Sequence, residues 1–173
     1  MSFTNHQIQI EDLPKIESIE YKAVSKRYLT ILFINTFLFF GAFIVAAIAI
    51  KIFAVNDSSF HDVFWYIISG IILLLILQVV ILKLGFKKRK YALREKDIIY
   101  SQGLFNNKTT SLPFNRIQHI EVSRGLLERK LNISTLKMYS AGESGGDISI
   151  KGLPKDVADA QYAFLTNIIN ERS

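Results

Sequence analysis

The chain contains no cysteine. That excludes disulfides, thiolate metal sites and cysteine nucleophiles together, and the composition fits a domain that faces the cytoplasm. Histidine is almost absent too. His6, His61 and His119 are far apart, and none of the short spacings that hold a metal ion occurs. Serines are present but none sits in a nucleophile motif. The segment Gly142-Glu143-Ser144-Gly145-Gly146 lacks the Lys-Ser/Thr of a phosphate-binding loop and no helix follows it, so it reads as a hairpin turn. Basic side chains do not interleave with aromatics as on a nucleic-acid surface. The expectation is therefore a protein that is not an enzyme, has no cofactor or metal and no identifiable small-molecule substrate, and does not bind nucleic acid.

A further absence is of charge in two places. Tyr28 to Ile50 and Val63 to Leu82 contain no Asp, Glu, Lys or Arg. About 20 apolar residues at ~1.5 Å rise cross a ~30 Å hydrocarbon core, so both runs read as transmembrane helices. Ala47-Ile48-Ala49 resembles a signal-peptide cleavage site. The run is nevertheless longer than the ~7–15 residues of a signal's apolar region, and its leader is long and nearly neutral, so retention is expected. With no ionisable group inside either span, the hairpin reads as an anchor more than as an ion or proton path.

The charges that are present give a direction. The net charge is +6. Lys22, Lys26 and Arg27 precede the first run, and Lys83, Lys87, Lys88, Arg89 and Lys90 follow the second, while the loop 51–62 offers only Lys51. By the positive-inside rule both termini face the cytoplasm. Phe64, Trp65 and Tyr66 fall where an interfacial aromatic belt belongs. Asn35 and Gln78 lie within ~5 Å of the same depth on the helix rise, so an amide hydrogen bond across the hairpin is expected between them. Ala42 and Ala46 offer a small-residue face for close helix packing, or are filler. The leader 1–27 is either a short interfacial helix capped by Asp12, with Ile16, Ile19 and Ala23 on one face, or a tail without structure.

Beyond Lys90 the apolar period shortens to two. Tyr91-Ala92-Leu93, Asp97–Tyr100 and Thr109–Leu112 are short β-type runs. Ile120 and Val122 alternate with polar neighbours, as do Leu136 and Met138, then Ile148 and Ile150. Gly103 to Asn107 is a turn. Six or seven strands in about 65 residues predict a small antiparallel barrel or sandwich. At the end, Asp156 is placed to cap a helix over 155–171, with Val157, Ala160, Phe164 and Ile168 on one face, joined by Leu165 and Ile169. The fold class is thus α+β: a transmembrane hairpin over 28–82 (spans 28–50 and 63–82), then a cytoplasmic β domain over 83–173.

Certain residues of that domain carry a family resemblance. Tyr91-Ala92-Leu93, Gly103-Leu104-Phe105, Leu112-Pro113-Phe114-Asn115-Arg116-Ile117-Gln118-His119-Ile120, Leu126-Leu127-Glu128-Arg129, Ala141-Gly142 and Gly152-Leu153-Pro154 resemble a bacterial pleckstrin-homology-like (PH-like) domain. The type is the membrane-flanked one often called bacterial PH domain 2, as in the YdbS-like membrane proteins. The resemblance covers about 85–170, and the order of two spans then one such domain fits as well. It implies a seven-stranded PH-like barrel with a C-terminal helix, no catalytic residues and no established ligand. It also implies partners among membrane proteins with similar domains.

Two candidate sites follow. Lys83, Lys87, Lys88, Arg89, Lys90 and Arg94 form a juxtamembrane cluster suited to anionic lipid, at ~1 kcal/mol per charge near the surface. The same residues serve equally as stop-transfer and orientation signals. Arg116, Gln118 and His119 form either a polar binding edge or a satisfied barrel rim, with Arg116 paired to a carboxylate. The expected role is a membrane-held binding or scaffolding module, partnered by anionic lipid, by another PH-like membrane protein or by a second copy. The alternative is an accessory subunit of a transport, export or envelope-protection complex.

Overall fold

The computed structural model describes residues 19–53, 58–140 and 146–171, with the backbone alone for 58–62. Most of the leader, the centre of the loop between the helices and the proposed turn at 142–146 (save Gly146) lie outside these residues. Two long helices come first: α1 (Lys26–Phe53) and α2 (Ser58–Lys87). Both are long and apolar enough to cross a membrane. They extend past the uncharged runs, because a helix does not stop where its apolar residues do: Lys26, Arg27, Lys83 and Lys87 are all helical. The 30 residues of α2 span roughly 45 Å, so it protrudes from a ~30 Å core.

The β domain follows: β2 (Lys90–Leu93), β3 (Asp97–Gln102), β4 (Lys108–Pro113), β5 (Ile117–Ser123), the short helix α3 (Leu126–Lys130), β6 (Ile133–Ser140), β7 (Ile148–Pro154) and α4 (Lys155–Asn170). The strand β1 (Lys22–Ala23) comes from before the first helix. Two antiparallel sheets result, in the orders β1-β2-β3-β4 and β5-β6-β7. The fold is α+β and, of the barrel and the sandwich expected, it is sandwich-like: the two sheets do not close. Between them lie Ile98, Phe114, Leu136, Met138, Ile148, Ile150 and Leu153, all almost fully buried. Their period-two spacing within strands puts them on one face.

Three expectations at the domain's margins are corrected. Ala23 is in a strand, not on a helical face with Ile19: Lys22 and Ala23 pair with Tyr91 and Lys90. Asp156 does not cap α4. The helix starts at Lys155, its N-cap is Pro154 with no side-chain cap, and Asp156 sits in the first turn near the positive end of the dipole. The buried face of α4 is Ala158, Gln161 and Leu165, whereas Ala160 is exposed. Phe164 stands at the margin of that face with its ring edge-on to Phe114 at 6.0 Å. A polar Gln161 at the centre hid this face from hydropathy. Burial pushes the Tyr91 phenol above its ordinary pKa.

A second cluster joins the helices to the domain. Tyr28 and Ile31 of α1 are buried with Ile133 of β6, and Phe86 of α2 packs against both clusters. Ile133 to Leu136 are buried in succession, without alternation, because the outer side of β6 is covered too. Side chains of this size contribute about 1.5–3 kcal/mol each when buried. The joint is tight at Gly152, whose φ is +83° and whose missing Cβ would lie 2.5 Å from that of Tyr28. Only glycine meets both conditions. Backbone seals the same point, the Ser25 N–H donating to the Gly152 carbonyl at 2.9 Å.

Candidate functional site

The basic run after α2 is not one cluster. Lys83 and Lys87 are exposed on the last turns of the helix. There a positive charge is favourable against the C-terminal end of the dipole. Lys88 and Arg89 close the helix, their N–H groups donating to Gly85 and Phe86 carbonyls. Each of three cations lies over a ring from the first helix or its approach. The Lys83 Nζ is 5.9 Å from the Phe33 ring, the Arg89 guanidinium 5.4 Å from Tyr28 and the Lys90 Nζ 4.0 Å from Tyr21. Such contacts contribute about 0.5–1 kcal/mol each at exposed sites. The partners are some fifty to seventy positions apart in sequence, so local spacing cannot reveal them.

Arg94 departs from the group. It makes a two-pronged ion pair with Asp97, its Nε donating to Oδ1 at 2.6 Å, and the Ser111 hydroxyl donates to the same carboxylate at 2.6 Å. Arg94 therefore pins the β2–β3 turn. Its hydrogen bond holds the Asp97 carboxyl below its ordinary pKa, helped by Ser111 and opposed by burial.

The stretch Arg116, Gln118, His119 is exposed throughout. Arg116 closes a single 3-10 turn (Phe114–Arg116). The register of β5 on β6 shifts between Ile117 and His119, a bulge that puts Gln118 and His119 on the solvent side in succession. His119 stacks on Tyr139 at 5.8 Å. The Tyr139 hydroxyl and the Lys137 ammonium both donate to Glu121. Lys137, then Tyr139, hold the Glu121 carboxyl below its ordinary pKa. Arg116 has no ion pair with a described residue.

The hairpin positions also fall differently from expectation. Asn35 and Gln78 are both exposed, and no hydrogen bond joins them among the described residues. The buried polar residue of α1 is Thr36, which satisfies itself by donating to the Leu32 carbonyl at 2.9 Å. Ala42 and Ala46 are exposed, so they lie outside the α1–α2 contact.

Where helices meet domain, two cavities open. One of about 480 Å³ is lined by Asn35 and Leu32 of α1 and by Glu128, Lys137 and Lys151 of the domain. The other, of about 400 Å³, lies between α2 and the β3–β4 turn, with Arg89, Gln102, Asn106 and Lys108 on its rim. Lys108 drew no notice as sequence, and its one signal is that it directly follows the Gly103–Asn107 turn. The described residues hold no group of three or more His, Cys, Asp or Glu that could ligate a metal.

Comparison with known proteins agrees with this architecture. Residues 30–172 match the model of the bacterial PH domain family. The chain is 32% identical to the UPF0699 transmembrane protein YdbS of Bacillus subtilis over 94 residues, 51% of this chain. Those residues cover 58% of that relative's length. No solved structure matches. Two helices fit to cross a bilayer, a PH-like sandwich and a family match over most of the sequence make this a membrane protein that belongs to the bacterial PH domain family.

Proposed function

We propose that the protein is a non-catalytic binding or scaffolding module, held at the cytoplasmic face of a bacterial membrane by two spans, and that it acts with anionic lipid or another membrane protein. One observation carries the reading. The end of α1 is built into the β domain through Tyr28, Ile31, Ile133 and Gly152, so the domain is fixed against the bilayer. A fixed domain presents its membrane-proximal rim at a constant height. The charges that flank the helices at this rim favour the cytoplasmic side. The description of the family and the printed name of the relative are not those of enzymes.

The test uses the full chain in nanodiscs. In discs of mixed composition, labelled phosphatidylglycerol should be enriched beside the β domain over labelled phosphatidylcholine, and the enrichment should fall with salt. Binding indifferent to lipid charge would remove the lipid arm. Absence of native cysteine makes topology directly measurable: Asn56→Cys should be labelled from outside intact cells and Ser149→Cys only after permeabilisation. A second reading, an accessory subunit of a transport, export or envelope-protection complex, draws support from the outward position of Ala42 and Ala46, where another helix can approach closely. A stoichiometric partner in a detergent pull-down, lost in Ala42→Leu/Ala46→Leu, would favour it.

A further inference from the structure

The two cavities at the joint differ in charge. In the larger, Glu128 and Lys137 already have partners: Glu128 accepts from the Gly125 N–H and the Thr135 hydroxyl, and Lys137 pairs with Glu121. The groove beside α2 is lined by Arg89 and Lys108 with no Asp or Glu among its residues. Neither cation has an ion pair with a described residue. Arg89 is held against the Tyr28 ring, so its position is set before anything binds.

The remaining walls are of another kind. Leu32, Ile81 and Leu82 belong to the two apolar helices, and Leu104 comes from the β3–β4 turn. The groove thus runs from guanidinium and ammonium at the domain to hydrocarbon at the spans. Gly85 faces Leu104 across it: a Cβ there would stand at ordinary contact distance, 3.9 Å, from that of Leu104, and a longer side chain would reach into the groove. The next residue on the turn, Phe105, is 87% exposed. A bare phenylalanine beside the end of a membrane helix is costly in water and well placed in a lipid leaflet.

We infer that this groove holds one anionic phospholipid of the leaflet next to the β domain, its phosphate between Arg89 and Lys108 and an acyl chain along Ile81 and Leu82. Phe105 enters the same leaflet. The proposal rests on the reading of the protein as a partner of anionic lipid and gives that reading a site. The polarity gradient fits a lipid, whose charge and hydrocarbon are joined, better than a free phosphate, which would leave the apolar walls unused.

Native mass spectrometry of the full chain, released from detergent with phosphatidylglycerol or phosphatidylcholine, tests it. The unaltered chain should retain one phosphatidylglycerol in preference to phosphatidylcholine. Arg89→Gln/Lys108→Gln should weaken retention roughly 25-fold, the product of two near-surface charges. Lys108→Gln alone, at an exposed position, should give about a fifth of that effect. Gly85→Leu keeps both charges, fills the groove and should also release the lipid. Lys87→Gln/Lys88→Gln, outside the groove, should weaken retention far less than Arg89→Gln/Lys108→Gln does. If the Lys87/Lys88 variant loses lipid and the Arg89/Lys108 variant does not, the groove is wrong and lipid binding by the wider cluster stands. If no variant matters and neither lipid is preferred, both readings fall. Displacement of the lipid by millimolar inorganic phosphate would mean an anion site and overturn the lipid assignment.

Discussion

The two membrane helices meet the same domain in opposite ways. The first is gripped by side chains: Tyr28 and Ile31 are buried, Gly152 receives the Tyr28 ring, and an Arg27 Nη donates to the Leu131 carbonyl. The second is attached by the chain itself, running through Lys88 and Arg89 directly into β2, with Phe86 as its inserted side chain. Chain continuity alone does not make the difference, since two residues separate β1 from α1 just as two separate α2 from β2. The strand that leads into the first helix is only two residues long, however, and holds the domain weakly, so packing supplies the rest. The asymmetry says that the first helix carries most of the side-chain joint that sets the orientation of the domain.

The comparison breaks most severely at Gly152. Gly152→Val forces a branched side chain into positive φ and onto Tyr28, and should cost about 4 kcal/mol, read as a fall in the detergent melting temperature. Tyr28→Ala leaves the joint intact but empty, and should cost about 3 kcal/mol. The matched truncation on the second helix, Phe86→Ala, removes a side chain only partly buried against both clusters and should cost about 2 kcal/mol. Equal losses at Tyr28 and Phe86 would erase the asymmetry. In β3, Asp97→Asn should cost about 2 kcal/mol, because Arg94 and Ser111 lose a charged acceptor. The pH dependence has a definite sign. A carboxyl held below its ordinary value of 3.8 stabilises the fold above that pH and loses the contribution as pH falls through its lower folded value. The acid limb of the stability profile below about pH 4 should flatten in Asp97→Asn. Smallest of all, Glu121→Gln on the exposed face of β5 should leave the melting temperature unchanged within error, for its ion pair with Lys137 is solvent-screened.

Much of this fold was legible because it rests on local periodicity. The uncharged runs mark the helices, and the alternation at Ile148 and Ile150 marks a strand. The turn at Gly103 is required by a φ of +113°. What was hidden depends on partners distant in sequence. Lys22-Ala23 is too short to show a period, and only its pairing with β2 makes it a strand. Gln118 and His119 are both polar and so read as one edge, but the bulge that turns two successive residues outward shows only in the pairing with β6. Arg94 looked like the last member of a basic cluster, although its acceptor Asp97 stands three residues away, across a turn. The candidate groove was less legible still. Arg89 was visible as one charge among several, and Lys108, Gln102 and Asn106 reach it only by folding of the β3–β4 hairpin against α2.

The pairing of β1 with β2 has a consequence for how the chain is made. The N-terminal strand of the first sheet is synthesised before both long helices, and its partner after them. It waits, unpaired, through nearly seventy residues of translation, and the contact closes a loop that contains both long helices. The sheet can acquire its edge only when the second helix has turned back alongside the first. A hairpin that failed to return would leave Val24, buried in the native core, without its pocket and β2 with an open edge, a surface prone to aggregation.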